Sequence, residues 1–328
     1  MSSVKEVAEL ANVSVATVSR VLNNHPSVKK EYRQRVMKAI EELNYKPNIL
    51  AKNLRKQSSS TIAMVMTTIA NPFYAGIVRG AQEAIRNSGY NMIIGTTEWQ
   101  ANTYENMLST SQVDGIIILS SWANKKTIQS LNEQYPVVMC NEYYDDINIT
   151  YVSIDNKKAG YDAACELLRR GHRNIVYAAG SKKSSSVNDR LKGYKEALSE
   201  AGIHYNEQLI IRPTQGHGED GQMINRLNEL VEQGITIDGI LTHSDLMASY
   251  ILKGIKENAI HVAKNISIIS FDGTFLTEIS NPGLTSIVQP AFELGFSAVN
   301  MLIQKIQNKE INKSGRLILD HQLITRET

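Results

Sequence analysis

The chain has 328 residues, 42% of them hydrophobic and 21% charged, with a net charge of +2. That length allows two or three domains, and the balance is that of a globular chain rather than a disordered or collagen-like one. No apolar run approaches the ~20 residues of a membrane span, and polar residues interrupt the N-terminus where a secretory signal needs an apolar segment, so a cytoplasmic protein that does not enter membranes is expected. Cys140 and Cys165 match no metal or redox spacing and read as two buried, reduced thiols. Charge is unevenly placed. Residues 1–60 hold eleven Lys and Arg against five Glu, a net of +6 that leaves −4 for the rest. A basic head on a slightly acidic body suits contact with a polyanion. A merely solvated surface explains the size of that charge but not its concentration at one end.

From the N-terminus, VKEVAELANVSVATVSRVLN (Val4–Asn23) predicts two short amphipathic helices. Val4, Val7, Ala8 and Leu10 are spaced for one buried face of the first. Asn12 breaks it at a tight turn, Val13 fills the gap, and Ser14 is placed to N-cap the second helix by accepting from a free first-turn N–H. Val18, Val21 and Leu22 make the second buried face; Val15, Ala16, Thr17, Ser19 and Arg20 look outward. A helix-turn-helix has this pattern, its second helix presenting N-terminal residues to base edges in the DNA major groove. Small residues at Val15 and Ala16 allow close approach and contact with thymine methyls, and Arg20 reaches a guanine edge or a phosphate. An ordinary helical hairpin fits so short a stretch equally well; the sequence that follows separates the two.

Pro26 marks a loop, and Ser27 or Lys29 opens a third helix to about Leu43, with Val36, Ala39, Ile40 and Leu43 packing on the first two. Lys29, Lys30, Arg33 and Arg35 suit phosphate contacts that set register without reading sequence. Pro47 ends this helix and Asn48 can cap a short one over YKPNILAKNLRK. That segment reads as a hinge helix. Leu54, exposed between basic residues, suits a wedge driven into a minor groove; a leucine packed on the neighbouring domain is the alternative. Gln57–Ser60 is a polar boundary.

Beyond it, short apolar strands alternate with amphipathic helices. The strands are Ile62–Met66, Met92–Gly95, Gly115–Leu119, Val137–Cys140, Tyr151–Ile154, Ile175–Ala178, Gly239–Thr242 and Ile266–Phe271; the helices include Tyr74–Asn87, Asn156–Arg170, Arg190–Ala201, Glu219–Gln233, Leu246–Asn258 and Phe292–Gln307. Repeated βα units give parallel sheets covered on both faces, and their number calls for two α/β subdomains with a cleft between them. Ligands collect outside the carboxyl ends of such strands, which directs attention to Thr67–Tyr74, Ser120–Trp122, Ser181–Arg190, Ser244–Asp245 and Asp272–Phe275.

Gly216–Gly221 matches GxGxxG, but Glu219 and Asp220 would repel a pyrophosphate, so nucleotide binding is not expected. The seven histidines are scattered without HExxH or a Cys/His cluster, there is no G-x-S-x-G elbow, and no metal, cofactor or catalytic constellation is expected. Lys182–Ser186 reads as a solvated loop. Asn71, Arg190, Asp245 and Asp272 at strand ends suit the hydroxyls of a sugar, and Phe73, Tyr74, Trp122 or Phe275 can cover its apolar face. Each alone fits a structural role, as in an Arg190–Asp189 pair; four at cleft edges favour a polyhydroxylated ligand.

With KEVAELANVSVATVSRVLN, the hinge-like NYKPNILAKNLR, and the later segments NPFYAGIVRGAQEA, VDGIIIL, SIDNKKAGYDAACELLRRGHRNI, RLKGYKEAL, HSDLMA, ISFDG and LTSIVQPAFELGFSAVNML in order, the chain resembles the lactose-repressor (LacI) family of bacterial transcription regulators over essentially its whole length. The resemblance implies a homodimer on a pseudo-palindromic double-stranded DNA operator. Val15, Ala16 and Arg20 would read bases; Ser14, Thr17, Ser19, Asn23, Tyr45, Asn48 and Ala51 complete the DNA-binding set, and Leu54 is the hinge leucine. It also implies a body like periplasmic sugar-binding proteins, two subdomains joined by three crossovers, with an effector held by Thr67, Asn71, Tyr74, Trp122, Arg190, Asp245, Asp272 and Gln289. Four positions depart from the usual pattern: Ser270 for glycine, Gly273 for an acid, Thr68 for aspartate and Ser244 for asparagine; the stretch after Glu98 is also short.

The expected organisation is a helix-turn-helix head over 1–46, a hinge and linker over 47–60, and an effector-binding and dimerisation body over 61–328, with subdomain one about 61–157 and 289–316 and subdomain two about 158–288 and 317–328. The expected function is a sequence-specific repressor of sugar or carbon metabolism, controlled by a small sugar-like effector. The alternatives are a catabolite-control-type regulator tuned by a phosphorylated carrier protein, or a cytoplasmic sugar-binding or sugar-modifying protein.

Overall fold

The computed structural model describes residues 2–45, 58–86, 88–96, 113–119, 125–144, 146–180, 184–212, 219–257, 259–260, 262, 266–308 and 314–328. The chain forms two compact units, residues 1–59 and 60–328. The expected hinge positions Asn48, Ala51 and Leu54 lie outside the described residues, as does Trp122.

In the first unit α1 (Val4–Leu10) opens with a capping box: Glu6 N–H donates to Ser3 Oγ at 3.3 Å and Ser3 N–H to Glu6 Oε2 at 2.8 Å. Asn12 takes the left-handed conformation (φ 50°) that turns the chain, and Val13 N–H closes on the Ala8 carbonyl. Ser14 then caps α2 (Val15–Leu22), its Oγ accepting from Thr17 N–H at 3.1 Å. Val7, Ala8, Ala11, Val18, Val21, Val36 and Ala39 form the core, the last two from α3 (Lys30–Glu42). Two expectations are corrected. Leu10 is 50% exposed while Ala11 is buried, because the inward stripe steps from Val7 to Ala11. α3 stops at Asn44 (φ 47°), where Tyr45 N–H returns to the Ile40 carbonyl, before Pro47 is reached.

The second unit holds two six-stranded sheets. The first contains β1 (Thr61–Met66), β2 (Asn91–Thr96), β3 (Gly115–Ile118), β4 (Val137–Cys140), β5 (Thr150–Ile154) and β11 (Arg316–Leu319), in the order β11-β5-β4-β3-β1-β2 and all parallel. The second contains β6 (Ile175–Ala178), β7 (Ile210–Ile211), β8 (Gly239–Thr242), β9 (Ser267–Asp272), β10 (Thr285–Val288) and β12 (Gln322–Ile324), in the order β12-β10-β9-β8-β6-β7, with β12 antiparallel to β10. The chain crosses between the sheets after β5, β10 and β11. The third crossing falls at Asp320–His321 rather than after residue 316, because Arg316–Leu319 pairs in full with Tyr151–Ile154. Strand runs such as Met64, Ile117 and Val138, and Tyr177, Leu241 and Ile269, are fully buried because helices cover both faces.

Helices α4 (Pro72–Arg86), α5 (Lys125–Gln134), α6 (Asn156–Arg169), α7 (Ser185–Glu200), α8 (Glu219–Glu232), α9 (Asp245–Lys256), α10 (Leu276–Ile279) and α11 (Ala291–Asn308) complete the unit. Helix α7 starts five residues before the expected Arg190: Ser184 Oγ caps it through Val187 N–H at 3.2 Å. Cys140 is fully buried; Cys165, expected to match it, is only half-buried on α6. No helix among the described residues is long and apolar enough to cross a membrane, and none of them form a cluster of three or more metal-ligating side chains.

Helices α6 and α7 touch backbone to backbone. A Cβ on Gly193 would lie 1.9 Å from the Lys157 carbonyl oxygen, and one on Gly160 2.1 Å from that of Arg190. This contact sets how deep Arg190 sits. Gly193→Ala is expected to cost about 1–3 kcal/mol through overpacking, read as a lower urea midpoint. An unchanged midpoint would show that the helices can part freely.

Candidate DNA interface and effector cleft

On the head, α2 presents Ala16 and Arg20 to solvent, with Thr17 and Ser19 partly exposed beside them. Arg20 makes no hydrogen bond or ion pair with another described residue, so its guanidinium is available. Ser14 Oγ and Thr17 Oγ1 bond to each other at 2.9 Å, and exposed Asn23 donates through Nδ2 to the Ser19 carbonyl at 2.9 Å. Val15, expected to face outward, is half-buried and packs on the head core with Val13 and Tyr45. It sits at the first helical position, where the turn from Val13 rolls its side chain inward. Arg33 and Arg35, expected on phosphate, are engaged internally. Arg33 donates to Asn24 Oδ1 (2.8 Å) and the His25 carbonyl (3.2 Å), and Arg35 to the Asn12 carbonyl (2.9 Å). They brace the turns that flank α2. Lys29 and Lys30 remain exposed.

In the body, Asp272 ends β9 at φ 113°, a strained backbone for a non-glycine residue. The residue is 5% exposed. Asn71 Nδ2, from the loop after β1, donates to Oδ2 at 3.3 Å, and Gln289 Nε2, just past β10, to Oδ1 at 2.9 Å. Burial, reinforced by the neighbouring Asp245 charge, pushes the Asp272 carboxyl up to about 8; Arg190, Asn71 and Gln289 oppose the rise. Asn71 is itself oriented by Phe73 N–H on its Oδ1 at 2.9 Å. Tyr74, on the first turn of α4, bonds Thr67, and its phenol is pushed well up by burial, then by Glu142 and Asp272.

Arg190 is 3% exposed. Its Nε donates to Asn156 Oδ1 at 2.9 Å, its Nη1 donates to the His243 carbonyl at 3.1 Å, and the guanidinium lies 4.1 Å over the Phe271 ring. Asp189 instead bonds Lys192 and Tyr143, so the Arg190–Asp189 pair does not form. Burial pushes His243 down to about 4, leaving it uncharged at neutral pH. Arg190 Nη2 and Gln289 Oε1 are buried with no hydrogen-bond partner among the described residues. Buried polar groups seldom stay unsatisfied without a reason.

Asp245 is placed differently from its expectation. It is fully buried and its oxygens are consumed within the fold: Ser270 Oγ (2.5 Å) and Ser286 Oγ (2.8 Å) donate to Oδ1, and Thr274 N–H (2.6 Å) to Oδ2. Three departures from the family pattern are explained here. Ser270 supplies a donor to Asp245, Ser244 caps α9 through Met247 N–H at 3.2 Å, and Gly273 (φ 72°) leaves room where a Cβ would meet Val288 side-chain carbons at 2.6 Å.

Sequence reasoning missed Glu142. It follows β4 in subdomain one, is 8% exposed, and reaches the start of α7 in subdomain two. Ser184 Oγ (2.6 Å) and Ser186 Oγ (2.9 Å) donate to Oε1; Ser185 N–H (2.8 Å) and Oγ (2.7 Å) donate to Oε2. Tyr143 N–H adds a bond to Ser185 Oγ at 2.9 Å. Ser184–Ser186, expected in a solvated loop, therefore form the start of a helix that grips a carboxylate across the cleft. The strand-end rule applied to β4 would have pointed to Glu142.

A helix-turn-helix head joined to a two-sheet body with three crossings defines a DNA-binding protein carrying a ligand-binding body. Comparison with known proteins gives the family. Residues 3–48 match the model for bacterial regulatory proteins of the lacI family, and residues 59–327 the model for periplasmic binding proteins and the sugar binding domain of the LacI family; the chain belongs to the LacI family. It is 32% identical to the NTD biosynthesis operon regulator NtdR of Bacillus subtilis over 100% of both chains. It is 33% identical to the transcriptional repressor CytR of Escherichia coli, covering 99% of this chain and 95% of that one. The lac repressor dimer bound to operator and an anti-inducer superposes with a TM-score of 0.83 at 25% identity, covering 99% and 98% of the two chains.

The Asp272 carboxyl carries a pH signature. An unfolded Asp ionises near pH 4, so between about pH 4 and 8 the folded chain keeps a proton that the unfolded chain has lost, and stability falls as pH rises through that window. Asp272→Asn removes this dependence. Its unfolding free energy, taken from urea titrations, is expected to gain on the parent's by on the order of 1 kcal/mol per pH unit from pH 5 to 8. Parallel stability–pH curves would contradict a proton-bearing Asp272.

Proposed function

We propose that the chain is a homodimeric, operator-binding transcriptional repressor whose DNA affinity is set by a small polyhydroxylated effector in the cleft between the two sheets. The observation that carries the effector half is the pair of buried, unpartnered atoms beside Asp272, Arg190 Nη2 and Gln289 Oε1, one donor and one acceptor. A ligand with neighbouring hydroxyls satisfies both. Asn71, Tyr74, Thr67 and Asp272 complete that surface, while Asp245 acts behind it by fixing Ser270, Thr274 and Ser286. Among the described residues no side chain in the cleft is arranged as nucleophile and base, which favours binding over catalysis.

The DNA half rests on the free Arg20 guanidinium and the small Ala16 on the exposed face of α2, with Thr17, Ser19 and Asn23 nearby for phosphates. Val15 contributes chiefly by seating α2, and Tyr45 by closing the head core. Leu54, with Asn48 and Ala51, is assigned to the hinge that enters the minor groove. Effector and operator then alter each other's affinity by the same factor.

Arg20→Ala is expected to weaken operator binding about 10–100-fold and to relax base choice at one position per half-site, because a good guanine contact discriminates by about 1–3 kcal/mol. Mobility-shift titration at fixed salt on the matched operator and its single-base variants measures both effects. Full affinity with unchanged base preference would remove Arg20 from the reading face.

A further inference from the structure

The groups assigned to the effector are shut away from solvent. Arg190, Asp272 and Gln289 are each no more than 5% exposed, and the two unpartnered atoms, Arg190 Nη2 and Gln289 Oε1, are buried. A sugar is far larger than a water molecule and reaches such atoms only when the two sheets move apart. What the chain itself ties across the cleft therefore decides how often the site is accessible.

Glu142 makes four of these ties. Its segment is fixed to subdomain one, where Tyr143 belongs to the core of the first sheet and stacks on Tyr151 of β5 with ring centroids 4.8 Å apart. The serines are fixed to subdomain two, where Ser184 caps α7 and Val187 lies in the core of the second sheet. Three consecutive serines bring four donors to the one carboxylate. Tyr143 N–H returns a bond to Ser185 Oγ at 2.9 Å, and the Tyr143 hydroxyl bonds Asp189 further along α7. Asn71 adds a single bond to Asp272 at 3.3 Å. Because both sides are rooted in cores, these bonds join whole subdomains and not two loose loops. Helix α7 also carries Arg190, so the same bonds fix where that guanidinium stands. Hydrogen bonds to an ionised acceptor are the strong kind. On opening, water takes over the carboxylate and the hydroxyls, so the net loss is much smaller than the bonds themselves. Such a contact keeps a cleft shut and still releases it.

We infer that Glu142 is a latch on the effector cleft: its bonds to Ser184, Ser185 and Ser186 hold the two subdomains closed over Arg190, Asp272 and Gln289, and a ligand enters only in the fraction of molecules in which those bonds are broken. The apparent affinity for an effector is then the intrinsic affinity reduced by that fraction. The inference rests on the cleft being the effector site and is independent of which effector it takes, so its failure leaves the polyol reading standing.

The test needs no effector. The full chain is treated with a water-soluble carbodiimide and glycine ethyl ester, which amidate the carboxyl groups that solvent reaches, and the rate at each carboxyl is read by peptide mass spectrometry. Asp272 reports on the cleft. Asp245, fully buried behind it among Ser270, Ser286 and Thr274, reports on loss of structure. Exposed Glu257 on the far end of α9 sets the rate of an open carboxyl. In the parent, Asp272 is expected to react about tenfold more slowly than Glu257 or slower still, as a group reached only through opening does. Glu142→Gln is expected to raise the Asp272 rate about fivefold or more. Ser185→Ala, a milder change on the opposite lip, is expected to raise it in the same direction, with Asp245 unreactive throughout. Where Glu142→Gln does not fold, Ser185→Ala carries the comparison. Asp272 as reactive as Glu257 in the parent overturns the closed cleft. An unchanged Asp272 rate in the folded variants overturns the latch, and so does a rise that Asp245 shares in them, which marks a helix cap lost and not a cleft opened.

Discussion

Asp272 is the point on which the body turns. One carboxyl oxygen answers to Asn71 of the first subdomain and the other to Gln289 at a crossover between the sheets. The carboxyl therefore senses both the gap between the subdomains and the strand that joins them. Its own position is imposed. Strand β9 delivers it at a strained φ, and Gly273 turns the chain away at once because no side chain fits against Val288 there. Strain of this kind persists only where the surroundings overdetermine it, and here Asp245 does so. With Ser270, Ser286 and Thr274 as donors, it knits β9, β10 and the loop between Asp272 and α10 into one piece.

The two acids thus divide their labour by burial and partner count. Asp245 has all its strong acceptor directions filled from within the fold, which makes it a fixture. Asp272 has one good donor and one long one, which leaves it open to exchange. Sequence pattern placed both on a single effector list, because both lie at strand ends. Only the directions of their hydrogen bonds separate the fixture from the contact.

The fold was legible wherever burial follows local period. Runs such as IAMVM and GIII had to be parallel strands buried on both faces, and the cores of α4, α6 and α11 follow helical spacing. The misses have local causes. α5 buries only Ile128, so few apolar residues mark it in the sequence. β10, β11 and β12 are three or four residues long, and β11 and β12 alternate half-buried with exposed positions. Leu10 and Ala11 are adjacent candidates for one stripe, and only the turn at Asn12 selects the smaller. At the site, Arg190, Asp272, Asn71 and Gln289 were readable from strand ends and family pattern. Glu142 was not, because its meaning lies in Ser184–Ser186, more than forty residues away in sequence.

That distant pairing bears on how the switch is set. Glu142 and Asn71 already join the two subdomains without any ligand, through hydrogen bonds the chain makes with itself. An effector therefore does not bring two indifferent halves together; it competes with bonds already made, and what shifts the equilibrium is only the difference between its contacts and theirs. At Glu142 those bonds come from three serine hydroxyls and one backbone N–H. The bonds of Glu142 and Asn71 thus set the threshold that a ligand's own contacts must exceed.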